Sequence, residues 1–245
     1  MIVGSVSVRD VLLSPFVDLV LGGVCAGCER PGVAVCPDCQ AVLRARPFEA
    51  WPEPVPDGLA PPMACAAYDG VVRAVLLAHK EDGRYQLARP LGEALASAVR
   101  ASLGERRAAW LCPVPSPRAR IRARGHDPLG RIAAAAARRL RHEGYDVRVA
   151  PVLRVVRRPA DQAGLTATDR STNLAGAFRA RSRWAERLTS QPILAVDDVI
   201  TTGATLTEAC RALSVAGIPP LGCAVVAATR RRFMRSSLPV SPEAD

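Results

Sequence analysis

Pro192-Ile193-Leu194-Ala195-Val196-Asp197-Asp198-Val199-Ile200-Thr201-Thr202-Gly203-Ala204-Thr205 is the stretch on which the reading of this chain turns. Four apolar residues after a proline predict a short buried strand over 193–196, ended by two adjacent carboxylates. Hydroxyls, one glycine and small residues then lead into a helical pattern at Leu206, Cys210 and Leu213, with Gly217 as its stop. Small residues let a loop wrap an anion closely. Threonine hydroxyls and the free N–H groups of a helix N-terminus donate to that anion. The two aspartates suit ribose hydroxyls, or a Mg2+ that phosphates also hold. An ordinary polar turn is the weaker alternative, because uncompensated carboxylates at a buried strand end are costly without a use. The pattern predicts a sugar-phosphate site.

Working outward, the chain alternates between strand and helix from residue 63. Strands are expected at 63–68, 110–114, 147–153, 193–196 and 221–227, and helices at 71–78, 86–103 and 128–141, the last stopped by Gly144. Alternation of this kind predicts an α/β fold, a parallel sheet flanked by helices, with ligands at the carboxyl ends of the strands. Two polar stretches belong to that end. Cys112-Pro-Val-Pro-Ser-Pro leads into Arg118, Arg120, Arg122 and Arg124, read as a basic loop for pyrophosphate that ends in a helix start at Asp127. Residues 154–178, with Arg158, Gln162 and Arg170, are polar and weakly periodic, as a mobile lid would be. From 101 to 190 there are 19 Arg and no Lys against 7 Asp plus Glu, so positive charge gathers around the proposed site. The single lysine, Lys80, precedes Glu81-Asp82-Gly83; either it is a surface lysine paired with those acids, or its compact ammonium serves a phosphate.

At the other end stand Cys25-Ala-Gly-Cys28 and, seven residues on, Cys36-Pro-Asp-Cys39. Each C-x2-C places two thiolates on one tight turn. Together the two turns can complete a tetrahedral, four-thiolate and therefore structural Zn2+ site. The other four cysteines, Cys65, Cys112, Cys210 and Cys223, lie in apolar patterns and should pack as small hydrophobes. Residues 9–21 suggest a short helix around Pro15. Six prolines in 47–62 read as a stiff, extended linker. The expected layout is a zinc module at 1–46, that linker, a main domain at 63–232 and a frayed tail at 233–245.

Composition sets the outer bounds. At 245 residues and 49% apolar content the chain is long enough for a core, and a net charge of +10 favours phosphorylated or polyanionic partners. Only 4% aromatics argue against a base-stacking platform for single-stranded nucleic acid. No secretory signal or membrane-spanning run is evident, so a cytoplasmic location is expected, and oligomeric state is left open.

The 192–205 stretch resembles the signature of type I phosphoribosyltransferases, which bind 5-phosphoribosyl-1-pyrophosphate (PRPP). Taken with the tetracysteine head, His79-Lys80-Glu81-Asp82-Gly83, Pro113-Val114-Pro115, Arg157-Arg158-Pro-Ala-Asp161-Gln162 and Asn173-Leu-Ala-Gly176-Ala-Phe178, the order resembles the ComF competence-protein family from about residue 25 to 229. The resemblance implies that Asp197 and Asp198 hold ribose hydroxyls and that Thr201, Thr202, Gly203, Ala204 and Thr205 cradle the 5′-phosphate. It implies Mg2+ with PRPP, and pyrophosphate met by Lys80 and by arginines such as Arg118 and Arg124. Relatives often read R-G-F-N-Q where this chain has Arg124-Gly125-His126-Asp127-Pro128. Thr201 stands where hypoxanthine-type enzymes carry an acid, which disfavours 6-oxopurine salvage. No glutaminase-like N-terminus is present. Two classes are implied: phosphoribosyl transfer to an unidentified acceptor, or a nucleotide- or single-stranded-DNA-binding component of DNA uptake.

Overall fold

The computed structural model describes residues 23–157, 174–181, 184, 188 and 191–229. The N-terminal helix expected at 9–21, the tail, and Arg158, Gln162 and Arg170 lie outside the described residues.

Helix α1 (Pro37–Leu43) belongs to the cysteine module. Strand β1 (Phe48–Glu49) pairs antiparallel with β2 (Pro62–Ala67). Then come α2 (Gly70–Lys80), a 3₁₀ turn at Tyr85–Leu87, α3 (Ala88–Leu103), β3 (Ala108–Pro113), α4 (Arg118–Arg124), α5 (Pro128–His142) and β4 (Asp146–Val149). Strands β5 (Leu153–Val155) and β6 (Phe178–Ala180) form a separate antiparallel pair at the two ends of the stretch read as a lid. The chain closes with β7 (Ile193–Ile200), α6 (Ala204–Val215) and β8 (Gly222–Ala228).

The six-stranded sheet has the order β1-β2-β8-β7-β3-β4 and is parallel apart from β1. Successive residues of its inner strands serve opposite cores. Leu194, Val196, Ala224 and Val226 face α2, α3 and α5, while Ile193, Ala195, Cys223 and Val225 face α6 and the β5–β6 pair. A strand buried on both faces reads as a continuous apolar run, which is why 193–196 was legible. From β3 the chain steps outward to β4, and from β7 it steps the other way to β8. The winding therefore reverses between β3 and β7, and a crevice opens at their carboxyl ends.

Several boundaries differ from the sequence reading. Strand β7 continues through the acid pair to Ile200, because Asp197, Asp198 and Val199 are only half-buried and the ladder to β8 persists beside them. The run at 147–153 is two strands in two sheets, with Pro151 between them breaking the ladder. The four alternate arginines form helix α4, bracketed by Pro117 and Gly125, rather than a loop. Residues 47–62 are not an extended spacer: they supply β1 and bury Ala50, Pro52 and Leu59 against the α6 face of the sheet. Asp127 begins α5 as expected, its side chain accepting from Gly130 N at 3.0 Å.

Candidate functional site

The β7–α6 turn stands at the reversal of the winding. Its N–H groups at Ala204, Thr205 and Leu206 open a helix of 12 residues, and such a terminus favours an anion. Gly203 adopts φ +76, a left-handed conformation that side chains resist. A Cβ placed there would also stand 3.0 Å from Pro52 Cγ, 3.2 Å from Leu59 Cδ2 and 3.3 Å from Pro56 Cγ. The proline-rich strap thus backs the loop directly. Thr201 is exposed and Thr202 and Thr205 are half-buried, so these hydroxyls remain accessible. In the first turn of α6, the Thr207 hydroxyl is buried without a hydrogen-bond partner among the described residues.

The two carboxylates are unlike. Asp197 Oδ1 accepts from the Asp198 N–H at 2.8 Å. Burial, reinforced by the neighbouring Asp198 charge, pushes the Asp197 carboxyl well above the usual carboxylate range. Asp198 instead accepts from Lys80 Nζ at 2.7 Å, in a pair whose side chains are 36% and 17% exposed. For Lys80, burial alone would lower the pKa, but the Asp198 charge outweighs it and the ammonium is held. The partner of Lys80 is therefore the acid pair of β7, 118 residues away, and not the adjoining Glu81 or Asp82. That contact had no signal in the local sequence.

Glu81 has its own partner. Its two oxygens accept from Arg124 Nη2 at 2.7 Å and Nε at 3.1 Å. Alternate residues on a helix are about 200° apart, so α4 divides its arginines into an Arg118/Arg122 face and an Arg120/Arg124 face. Arg124 is tied to α2, while Arg118, Arg120 and Arg122 are exposed. The exit from β3 is pinned beside the acids, since Val114 N donates to the Val196 carbonyl at 2.9 Å.

Beneath Lys80 lie two buried imidazoles, His79 and His126, to which the sequence analysis assigns no role. His79 has Arg84 O and Pro128 O each 3.2 Å from its ring nitrogens. His126 lies 3.1 Å from Arg124 O and 3.2 Å from His79 O. Burial depresses the His79 pKa below the ordinary imidazole value, and a neutral ring donates to one of its two carbonyls at a time. His126 thus takes a packing place between the ends of α2 and α4.

Cys25, Cys28, Cys36 and Cys39 bring their sulfurs within 4.8 Å of one another, the one such group among the described residues. Tetrahedral zinc thiolates would stand about 3.8 Å apart, given Zn–S bonds of about 2.3 Å. Cys28 and Cys36 already stand at 3.6 Å. Cys25 Sγ accepts from Cys36 N at 3.2 Å and Gly27 N at 3.4 Å. Burial raises its pKa, yet those N–H donors outweigh it and bring the thiol down to about 6. This chemistry fits a metal such as zinc, and four protein ligands leave no open position. The remaining cysteines are buried elsewhere: Cys65 Sγ donates to the Leu43 and Ala45 carbonyls, and Cys210 faces Cys223 at 3.6 Å.

The family model of the phosphoribosyl transferase domain matches residues 131–240. The matched stretch runs from the first turn of α5 through β7, the acid pair, the Thr201–Gly203 turn and α6. It excludes the cysteine module and Lys80. A comparison with curated proteins finds no match. No described helix is long and apolar enough to cross a membrane.

Proposed function

We propose that this chain binds PRPP, or a closely related ribose phosphate, at the carboxyl ends of β3 and β7. The observation that carries this is the acid pair leading into an open helix N-terminus where the winding of the sheet reverses. The 5′-phosphate rests on the Thr201, Thr202, Gly203, Ala204 and Thr205 turn, and Asp197 and Asp198 receive the ribose hydroxyls. Lys80, already beside Asp198, would meet the pyrophosphate end, with Arg118 and Arg122 on the open face of α4. Mg2+ would come with the PRPP, held by its phosphates and by Asp197 and Asp198, and would neutralise charge on the leaving group. Transfer breaks the C1–pyrophosphate bond and forms a bond from C1 to an acceptor. Arg158, Gln162 and Arg170, in the stretch between β5 and β6, would exclude water and meet the leaving group.

The tetracysteine module together with this site supports a ComF-like protein of the cytoplasm. Incubation with PRPP, Mg2+ and a panel of bases and amines should release pyrophosphate in an acceptor-dependent way. Failure to bind PRPP at all would overturn the reading.

A second reading, a non-catalytic nucleotide- or single-stranded-DNA-binding role in DNA uptake, is favoured by one feature. A groove of about 350 Å³ between α3 and α5 is lined by Arg89, Glu93, Arg138, Arg139 and His142. Salt-dependent binding of an oligonucleotide, lost in Arg138→Glu, would support it. Binding insensitive to salt would exclude it.

A further inference from the structure

The cysteine module meets the body of the protein at both ends of the helix that carries Lys80. At the first turn of α2 the approach is close: a Cβ on Gly27 would come 2.8 Å from Val71 Cγ1 and 2.8 Å from Cys39 Sγ. Gly27 is thus wedged between a metal-ligand sulfur and α2. Beyond the last turn, Arg84 Nη2 donates to the Val24 carbonyl at 2.5 Å, one residue before Cys25. The Arg84 carbonyl in turn faces His79 Nδ1 at 3.2 Å, and His79 adjoins Lys80.

Lys80 is the last residue of α2. Helix ends fray unless the turn that follows them is held. Beyond its own backbone bonds to α2, such as Arg84 N to the Ala78 carbonyl at 3.3 Å, the following turn is held from two sides. The Arg124–Glu81 pair ties it to α4, and Arg84 ties it to the cysteine module. The second tie is only as firm as the module. Around the sulfurs the module buries Cys25, Cys36 and Cys39 with Val35 and Val71 against them. The Val24–Cys25 turn is joined to the rest of the module by the Val24–Pro31 bridge and the Cys25 N to Arg30 carbonyl bond. A bound metal would cross-link that turn to Cys36 and Cys39.

We propose that the tetracysteine module is a positioning element for the ligand site: with metal bound it fixes Val24, Val24 fixes Arg84, and Arg84 holds the 81–84 turn so that the Lys80 ammonium stays beside Asp198. The affinity of the site for a pyrophosphate-bearing ligand then depends on an intact module that itself touches no ligand. This rests on the reading of the acid pair as a phosphoribosyl site. Arg84 is a positioning residue, acting through Lys80.

The test is a cycle measured by calorimetry, with PRPP and Mg2+ as the probe and the full, metal-loaded chain as the protein. Arg84→Ala should weaken PRPP about fivefold in the wild-type background and leave it unchanged in a Lys80→Met background, since both changes remove the same cation. Arg84→Lys, which keeps a donor for the Val24 carbonyl, should restore most of the loss. Stripping the module's metal with a chelator, then removing the chelator before PRPP and Mg2+ are added, should repeat the pattern, with a fall in affinity in the wild type and none in Lys80→Met. Equal weakening by Arg84→Ala in both backgrounds, or no weakening in either, overturns the proposal and leaves the site reading standing. Unchanged affinity in Asp197→Asn/Asp198→Asn would instead sink the site reading, and this proposal with it.

Discussion

The acid pair of β7 and the thiol cluster near the N-terminus both crowd like groups into a short stretch, and they relieve the crowding by opposite means. At Asp197 and Asp198 one carboxyl is driven towards its neutral form by burial and by its neighbour, while the other takes an ammonium from α2. The counter-cation is built into the chain. In the cysteine cluster Cys25 is drawn down to about 6, whereas burial and the adjoining thiols push Cys39 up. Four thiolates together would need a cation from outside. The first site is neutralised within the chain, and the second calls for an imported ion.

The sharpest way to break this contrast is Cys36→Ser. It should remove most of the bound zinc, measured by metal analysis of protein prepared without chelator, and cost on the order of several kcal/mol. Unchanged zinc content would put the metal elsewhere. Asp197→Asn with Asp198→Asn should abolish PRPP binding in calorimetry while stability falls by no more than about 1 kcal/mol, the worth of a half-exposed ion pair. The pH dependence carries a sign. A carboxyl raised in the fold gives the wild type stability below its unfolded value of 3.8 that is lost as pH rises through the raised folded value. The double variant lacks that loss, so thermal melts should favour it more at neutral pH than near pH 4.

Gly203→Ala probes the loop rather than its charges. A left-handed φ and the approach of Pro52 should cost about 1–2 kcal/mol of stability, visible in denaturant midpoints. An unaltered midpoint would mean the strap does not press on the turn. Smallest is Lys80→Arg, which keeps the charge but replaces a compact ammonium with a planar fork. It should weaken PRPP by about 1 kcal/mol. Equal affinity at low and high salt would leave Lys80 as a partner of Asp198 with no ligand contact.

What could be read from the chain followed the range of the forces involved. The 192–205 stretch was legible because burial, turn and helix start act over a few residues each. The doubled C-x2-C announced a cluster for the same reason. The Lys80–Asp198 pair was not legible, since nothing near Lys80 encodes a carboxylate 118 residues on. The arginines at 118–124 read as a loop because a run of prolines leads into them, whereas arginine is a good helix former and Pro117 and Gly125 frame one turn and more of helix. The six prolines of 47–62 read as a stiff, extended linker, yet proline rings are apolar and two of them, Pro52 and Pro56, pack on the site loop.

That strap also governs where the polypeptide can be cut. A fragment started at residue 63 or 131, to isolate the portion matching a phosphoribosyl transferase domain, would begin after Pro52, Pro56 and Leu59. It would keep every residue of the β7–α6 turn and lose the wall behind Gly203, baring the apolar side of the sheet that Ala50 and Leu59 cover. Poor solubility of such a fragment would be a property of the incision, and grafting this turn onto another scaffold would require the proline segment to travel with it.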